Sequence, residues 1–399
     1  MPAGFARAAL APGPRHTECP SLPCMPRPHA SAIAEDAWNS QRERLLRKRG
    51  WGTRIISHTG YGSTDFVRVF ARVVLGRQHG DDDEPRQDAT YGGMRSPYLR
   101  RRGWRAFFSA PAMNVPIEVR VGHHVAHGRS DRSGHIDITF KGHGLRPGWH
   151  EVTVVAQGCE PVAASVYIVA PDERFGLISD IDDTVITTSL PRPMIAAWNT
   201  FVRHENARRV VPGMAPLYRT IMQEHPGAPI IFVSTGAWNT APTLTRFLKR
   251  NGFPIGPLLL TDWGPTNTGW FRSGQDHKRA CLDRLAKDFP KIKWLLIGDD
   301  GQHDPRIYQD FLEARPKRVA AVAIRQLTPA EQVLSHGLPV STEELAGKPA
   351  RRRAPAPVVY APDGYGLLRL LRTAGILGPS AASGLDPADP DALGPAESV

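Results

Sequence analysis

Four apolar runs, Phe175–Ile178, Ile230–Val233, Trp294–Ile297 and Val319–Ile324, are separated by helical repeats, and this alternation constrains the chain more than any other feature. Short apolar strands alternating with helices predict a parallel sheet, because each parallel crossover must cover a face of the sheet. Met214, Leu217, Tyr218 and Ile221 recur at helical spacing. Leu244, Phe247 and Leu248 mark a second helix closed by Gly252, and Leu282, Leu285 and Phe289 a third. The expected fold class is therefore α/β, a Rossmann-type parallel sheet with helices on both faces.

Upstream the period changes. Val67, Val69, Ala71 and Val73 alternate with Arg68, Phe70 and Arg72, and further strand-like runs fall at Ile117–Val121, Ile136–Phe140, Trp149–Val155 and Val162–Val169. Their spacing predicts a smaller β-sandwich domain over residues 51–170. Residues 1–34 are rich in Pro, Ala and Arg without periodicity and read as a disordered leader, followed by a basic helical segment at 35–50. The catalytic α/β domain is expected at 171–328, and 329–399 reads as a helical remnant, a basic linker and a largely disordered tail. His16, Cys19, Cys24 and His29 have no zinc-finger spacing, and His123, His124 and His127 read as an exposed hairpin loop.

The net charge of +11 favours anionic partners, and two basic clusters concentrate it. Arg42, Arg44, Arg47, Lys48, Arg49 and Arg54 stand against Glu43 alone. Arg95, Arg100, Arg101, Arg102 and Arg105 are interleaved with Tyr98, Trp104, Phe107 and Phe108, so residues 96–108 suit an amphipathic helix lying on anionic lipid or an ordinary solvated face. No run approaches the length of a membrane span, and the first 30 residues lack a signal-peptide core, so an intracellular protein with four reduced cysteines is expected.

The strand at Phe175–Ile178 runs into Ser179-Asp180-Ile181-Asp182-Asp183-Thr184, placing acids at the strand edge where α/β sheets bind ligands. Asp180 and Asp182 share a face of extended chain, and two close carboxylates require a shared proton or a cation. A calcium loop of the EF-hand type fails, because Val185 and Pro191 occupy its glycine and glutamate positions. Three later segments add groups suited to phosphoryl transfer. Ser234-Thr235-Gly236 offers a hydroxyl and backbone N–H groups, Lys278 a positive charge, and Asp299, Asp300 and Asp304 hard oxygen ligands.

In this order the segments resemble the aspartate-nucleophile phosphatases of the haloacid-dehalogenase (HAD) superfamily. Phe175–Thr184, Trp238-Asn239, Gly256–Leu260, His277-Lys278 and Ile297–Asp299 with Gly301-Gln302 are similar to the lipin-related, actin-patch-type phosphatidate phosphatase family over about residues 174–326. The resemblance implies a HAD-like catalytic fold and Mg²⁺-dependent hydrolysis of phosphatidate to diacylglycerol. It implies Asp180 as nucleophile, Asp182 as acid and base, and Lys278 as the group that holds both together. Thr184, at the motif turn, and Ser234, Thr235 and Gly236 would bind substrate. Asp180, the Asp182 carbonyl and Asp299 would hold Mg²⁺, with Asp304 near it. Asp300 stands where that family often has serine, and either adds a ligand or faces solvent. The implied partner is a lipid phosphate at an anionic membrane, without nucleic acid, and the implied location is cytoplasmic or peripheral on the inner membrane face. Another phosphomonoester, or an inactive lipid- or nucleic-acid-binding module, stands as the alternative.

Overall fold

The computed structural model describes residues 40–77, 90–91, 94–95, 110–187, 209–261, 274–301, 303–336 and 355–379. The leader cysteines and histidines, and the expected helix at 96–108, lie outside the described residues. Helix α1 spans residues 40–48, with its basic side chains exposed and Leu46 packed on the adjoining core.

Strands β1 (Trp51–Ser63), β2 (Phe66–Arg77), β3 (Ala110–Pro111), β4 (Pro116–Val121), β5 (His124–Arg129), β6 (His135–Lys141), β7 (Gly148–Ala156) and β8 (Val162–Val169) form one sheet. Its order is β3-β2-β1-β8-β7-β4-β5, and β6 pairs with the first half of β2. The expected sandwich of separate sheets is therefore one continuous, curled sheet, in which β5 comes back against β6. All pairings are antiparallel except β1 with β8. The histidine hairpin also differs from expectation. His124 and His127 lie in β5, whose largely exposed edge position leaves no apolar alternation to reveal it.

The alternation in β2 buries both of its faces. Val67, Val69, Ala71 and Val73 are fully buried in the curled sheet's own core. Phe66 and Phe70 point the other way and join the core of the α/β region. There Tyr61 and Phe66 meet Phe289 at ring distances of 5.7 and 5.8 Å, and His135 stacks on Trp238 at 4.2 Å. Each large apolar side chain so buried contributes roughly 1.5–3 kcal/mol.

The second sheet contains β9 (Phe175–Ser179), β10 (Ile230–Ala237), β11 (Leu258–Thr261), β12 (Lys293–Asp299), β13 (Val319–Arg325) and β14 (Val358–Ala361). Their order is β11-β10-β9-β12-β13-β14, with every pairing parallel. Helices α2 (Met214–Glu224), α3 (Ala241–Arg250), α4 (Gly274–Asp288), α5 (Asp304–Ala314), α6 (Pro329–His336) and α7 (Gly364–Thr373) accompany it. The four residues at helical spacing in α2 are all buried, and Gly252 closes α3 with a positive φ of 73°.

One boundary expectation is corrected. Part of the supposed disordered tail is ordered: β14 adds a sixth strand beside β13, and α7 packs on α2. Asp363 caps α7 by accepting from the Gly366 N–H at 2.8 Å, while Leu367 and Leu371 are fully buried. The apolar run Val358–Tyr360 is short and follows a proline-broken basic stretch, which hides it from a reading by composition.

Candidate active site

The chain leaves β9 for β10 and β11 on one side, then returns to β12 and β13 on the other. This reversal separates the carboxyl ends of β9 and β12 from the crossovers and opens a crevice there. Asp180 follows β9 and Asp299 ends β12, so the topology brings together acids that are far apart in sequence. The Asp180 N–H donates to the Ile297 carbonyl at 2.9 Å, carrying sheet geometry into the motif. The chain then turns sharply. Ile181 is buried, its carbonyl accepts from the Val185 and Ile186 N–H groups, and Asp183 takes the left-handed region at φ 57°. An aspartate tolerates that conformation better than most residues, at a cost of roughly 1–2 kcal/mol.

Asp304 occupies the first turn of α5, where the helix dipole favours negative charge. Gly298 makes room for it, since a Cβ there would lie 2.5 Å from Asp304 Oδ2. Lys278 projects from α4 and donates to Asp180 Oδ1 at 2.7 Å and to Asp304 Oδ1 at 2.5 Å. Carboxylate oxygens of Asp180, Asp299 and Asp304 all lie within 4.8 Å of one another, and all three residues are buried.

Burial pushes the Asp180 carboxyl well above its ordinary value; Lys278 opposes this, while Asp304 and Asp182 reinforce it. Asp299 is raised by burial and then by Asp304, Asp180 and Asp183. Burial alone would lower Lys278, but Asp180, Asp304 and Asp299 more than reverse it and hold the ammonium above its ordinary value. One ammonium thus faces three acids. Asp304 Oδ2 is buried without a hydrogen-bond partner. An all-oxygen, acid-rich set with an orphaned buried oxygen fits a hard divalent cation such as Mg²⁺, and contains no thiolate or imidazole suited to zinc.

The remaining expected residues divide between the rim and the floor. Asp182 is half-buried outside the carboxylate triad, and its Oδ2 accepts from Ser234 Oγ at 2.8 Å. Ser234 sits where β10 shifts register against β11, and its Oγ also accepts from the Gly236 N–H at 2.9 Å. The Thr235 and Gly236 carbonyls accept from Thr261 Oγ1 at 2.8 and 3.2 Å, fixing that loop to β11. Thr184 is fully buried, and its hydroxyl lies 3.3 Å from both Asp180 Oδ2 and Asp299 Oδ2. This lets the Thr184 hydroxyl support the two carboxylates from the motif turn.

Asp300 follows neither alternative read from its sequence. It is fully buried outside the triad, and its Oδ1 accepts from the Leu327 N–H at 2.7 Å, tying the β12 loop to the end of β13. Arg325 was missed altogether. It is buried at the end of β13, in register with Asp299, and donates to the Asp183 carbonyl at 2.6 Å. The available signal was a lone cation closing the apolar run Val319–Ile324 at the same sheet edge as the acids.

Comparison with known proteins falls on this half of the chain. Residues 175–326 match the family model described as Phosphatidate phosphatase APP1, catalytic domain. Phosphatidate phosphatase APP1 of Saccharomyces cerevisiae is 30% identical over 151 residues, 38% of this chain and 25% of that protein. An uncharacterized protein of Schizosaccharomyces pombe is 28% identical over 153 residues, again 38% of this chain and 25% of the relative. The matched region thus spans about a quarter of each relative's length. Among solved structures, the HAD domain of the Legionella pneumophila effector Lem4 aligns over 38% of this chain and 85% of its own, at 16% identity and TM-score 0.28. A carbohydrate acetylesterase from Xanthomonas citri aligns over 72% and 73%, at 10% identity and TM-score 0.24. The Asp180 loop, Ser234, Lys278 and Asp299 all fall within the segment, residues 175–326, that is similar to the phosphatidate phosphatase APP1 catalytic domain.

Proposed function

We propose that this chain is a Mg²⁺-dependent phosphoric monoester hydrolase that works through an aspartyl-phosphate, with phosphatidate at a membrane surface as its substrate. The observation that carries this reading is the buried Asp180–Lys278–Asp304 bridge with Asp299 beside it, inside a segment that matches a phosphatidate phosphatase family. Asp180, Asp299 and Asp304 would hold the cation, together with the Asp182 carbonyl. Bound Mg²⁺ would neutralise phosphate oxygens and the charge that develops on them.

The Asp180 carboxylate attacks phosphorus, and the bond from phosphorus to the lipid oxygen breaks. Asp182, protonated at this stage, gives its proton to the leaving oxygen, so the alcohol departs neutral. Water then attacks the aspartyl-phosphate while Asp182 takes a proton from it, and the cycle ends with inorganic phosphate. Lys278 offsets the charge of Asp180 as the anionic phosphate approaches. The Ser234 hydroxyl, now donated to Asp182, can swing to a phosphate oxygen and leave Asp182 free for proton transfer. Exposed Arg42, Arg44, Arg47 and Lys48 on α1, and Arg49 just after it, supply a basic surface suited to anionic lipid. Among the described residues no helix is long and apolar enough to cross a membrane, which is consistent with action from the surface.

The test is hydrolysis by the purified chain with Mg²⁺, against phosphatidate in mixed micelles, lysophosphatidate, sugar phosphates, phosphopeptides and nucleotides. Preferential release of phosphate from phosphatidate is expected. Turnover confined to a soluble ester would overturn the substrate assignment, and no turnover of any monoester would overturn the phosphatase itself.

A further inference from the structure

Among the described residues, Lys278 and Arg325 are the only buried lysine or arginine side chains, each 4% exposed. Lys278 faces the carboxylates. The Arg325 guanidinium turns away from them and spends its donors on three different segments. One nitrogen donates to the carbonyl of left-handed Asp183 at 2.6 Å, one to Glu331 Oε1 at 2.7 Å, and Nε to the Pro362 carbonyl at 3.3 Å. Pro362 joins β14 to α7, beyond residue 326 where the family match ends.

A second route reaches the same turn from the same unit. The Gly364 N–H donates to the Pro212 carbonyl at 2.9 Å, and the adjacent Val211 N–H donates to the Val185 carbonyl at 3.1 Å. Gly364 lies so close to Gly213 that a Cβ would fall 2.2 Å from its carbonyl carbon. The Asp180–Val185 turn is thus gripped from outside at Asp183 and at Val185. We propose that Arg325 is a positioning residue for this turn, and that it makes the β14–α7 unit part of the active-site scaffold. A planar fork can hold three acceptors in fixed directions, which an ammonium cannot. With the fork lost, the left-handed Asp183 is free to relax, and Thr184 no longer orients Asp180 and Asp299.

This proposal deepens the phosphatase reading, but its main readout does not rest on it. Hydrogen–deuterium exchange of Arg325→Lys, on the full chain, should accelerate at least tenfold in residues 180–187 while β9 and β12 keep wild-type protection. A role confined to general stability would raise exchange across the whole sheet, and either that result or unchanged exchange at 180–187 would overturn the proposal. Calorimetric titration with Mg²⁺ should show at least tenfold weaker binding, and kcat on a soluble monoester should fall more than KM rises. If the Lys variant does not fold, Glu331→Ala takes its place. That change removes one partner from a half-buried position and should raise exchange at 180–187 about threefold; wild-type exchange there would refute the coupling. Absence of hydrolysis by every form, wild type included, would sink the phosphatase reading while leaving the exchange result to decide the role of Arg325.

Discussion

In the absence of a cation, replacing Asp299 with asparagine is expected to stabilise the protein at neutral pH. Three buried acids share one ammonium, and burial, reinforced by mutual repulsion, raises Asp180 and Asp299 well above their ordinary value of 3.8. A carboxyl raised by folding keeps a proton that the unfolded chain has released. Its stabilising contribution is complete below the unfolded value and fades as pH climbs toward the folded value. One retained proton corresponds to about 1.4 kcal/mol per pH unit, so as pH climbs from 5 to 7 the wild type should lose stability that the variant keeps, by at most about 3 kcal/mol. For a unit of 150–250 residues each 1 kcal/mol is about 2–4 °C in Tm. The Asn oxygen can still accept from the Gly301 N–H, which now reaches Asp299 Oδ1 at 2.7 Å. Lys278 is raised above an ordinary value of 10.5 and contributes a constant amount over this range. His58 acts with the opposite sign, because burial, then His135 and Arg72, hold its imidazole well below 6.5. Its contribution cancels when variant and wild type are subtracted at each pH. Urea unfolding at pH 5, 6 and 7 in chelator, and again in saturating Mg²⁺, measures the difference. Saturation at about 100 times Kd should add about 2.7 kcal/mol to the wild type and offset most of that difference. A variant that is less stable by the same amount at every pH in chelator would refute the reasoning.

Asp180→Asn should leave the fold intact and reduce turnover by at least 1,000-fold, about 4 kcal/mol of barrier, and comparable phosphate release by the variant would rule out covalent catalysis there. Replacing Arg42, Arg44, Lys48 and Arg49 by glutamine should weaken binding to anionic vesicles on the order of 1,000-fold at low salt, from about 1 kcal/mol per charge. Turnover of a soluble ester by that variant should stay within twofold, and co-sedimentation equal to wild type would remove α1 from the membrane contact. Gly176→Ala should cost about 1–3 kcal/mol by chemical denaturation, because the new Cβ would lie 2.5 Å from the fully buried Trp294 ring. Unchanged stability would show that this contact can relax freely.

The reach of the sequence differs from element to element for physical reasons. Val319–Ile324 and Met214–Ile221 announce themselves because burial on two faces or on one helical face leaves a periodic apolar record. Asp180 and Asp299 stand out in the sequence as acids at the carboxyl ends of expected parallel strands, and Lys278, on α4, as a cation suited to offset them. Strand β5 left no such record, since most of its residues face solvent. Arg325 and Asp300 escaped for another reason. The contacts that tie them to the site's loops go to main-chain groups, the Asp183 carbonyl and the Leu327 N–H, and a backbone partner has no residue type to be read. The curled sheet was read as two because strand runs reveal which residues alternate but not which edges join.

The two-sided burial of β2 bears on where this molecule can be cut. A chain shortened to the matched segment would turn Trp238 and Phe289 out to water, where Phe70, His135, Tyr61 and Phe66 now cover them. It would also remove the Tyr61 hydroxyl that donates to Asp288 at 3.0 Å. The limits of the family match, residues 175 and 326, therefore differ from the expected limits of cooperative folding. The curled sheet is a wall of the α/β region, and the two should melt together in a single calorimetric transition.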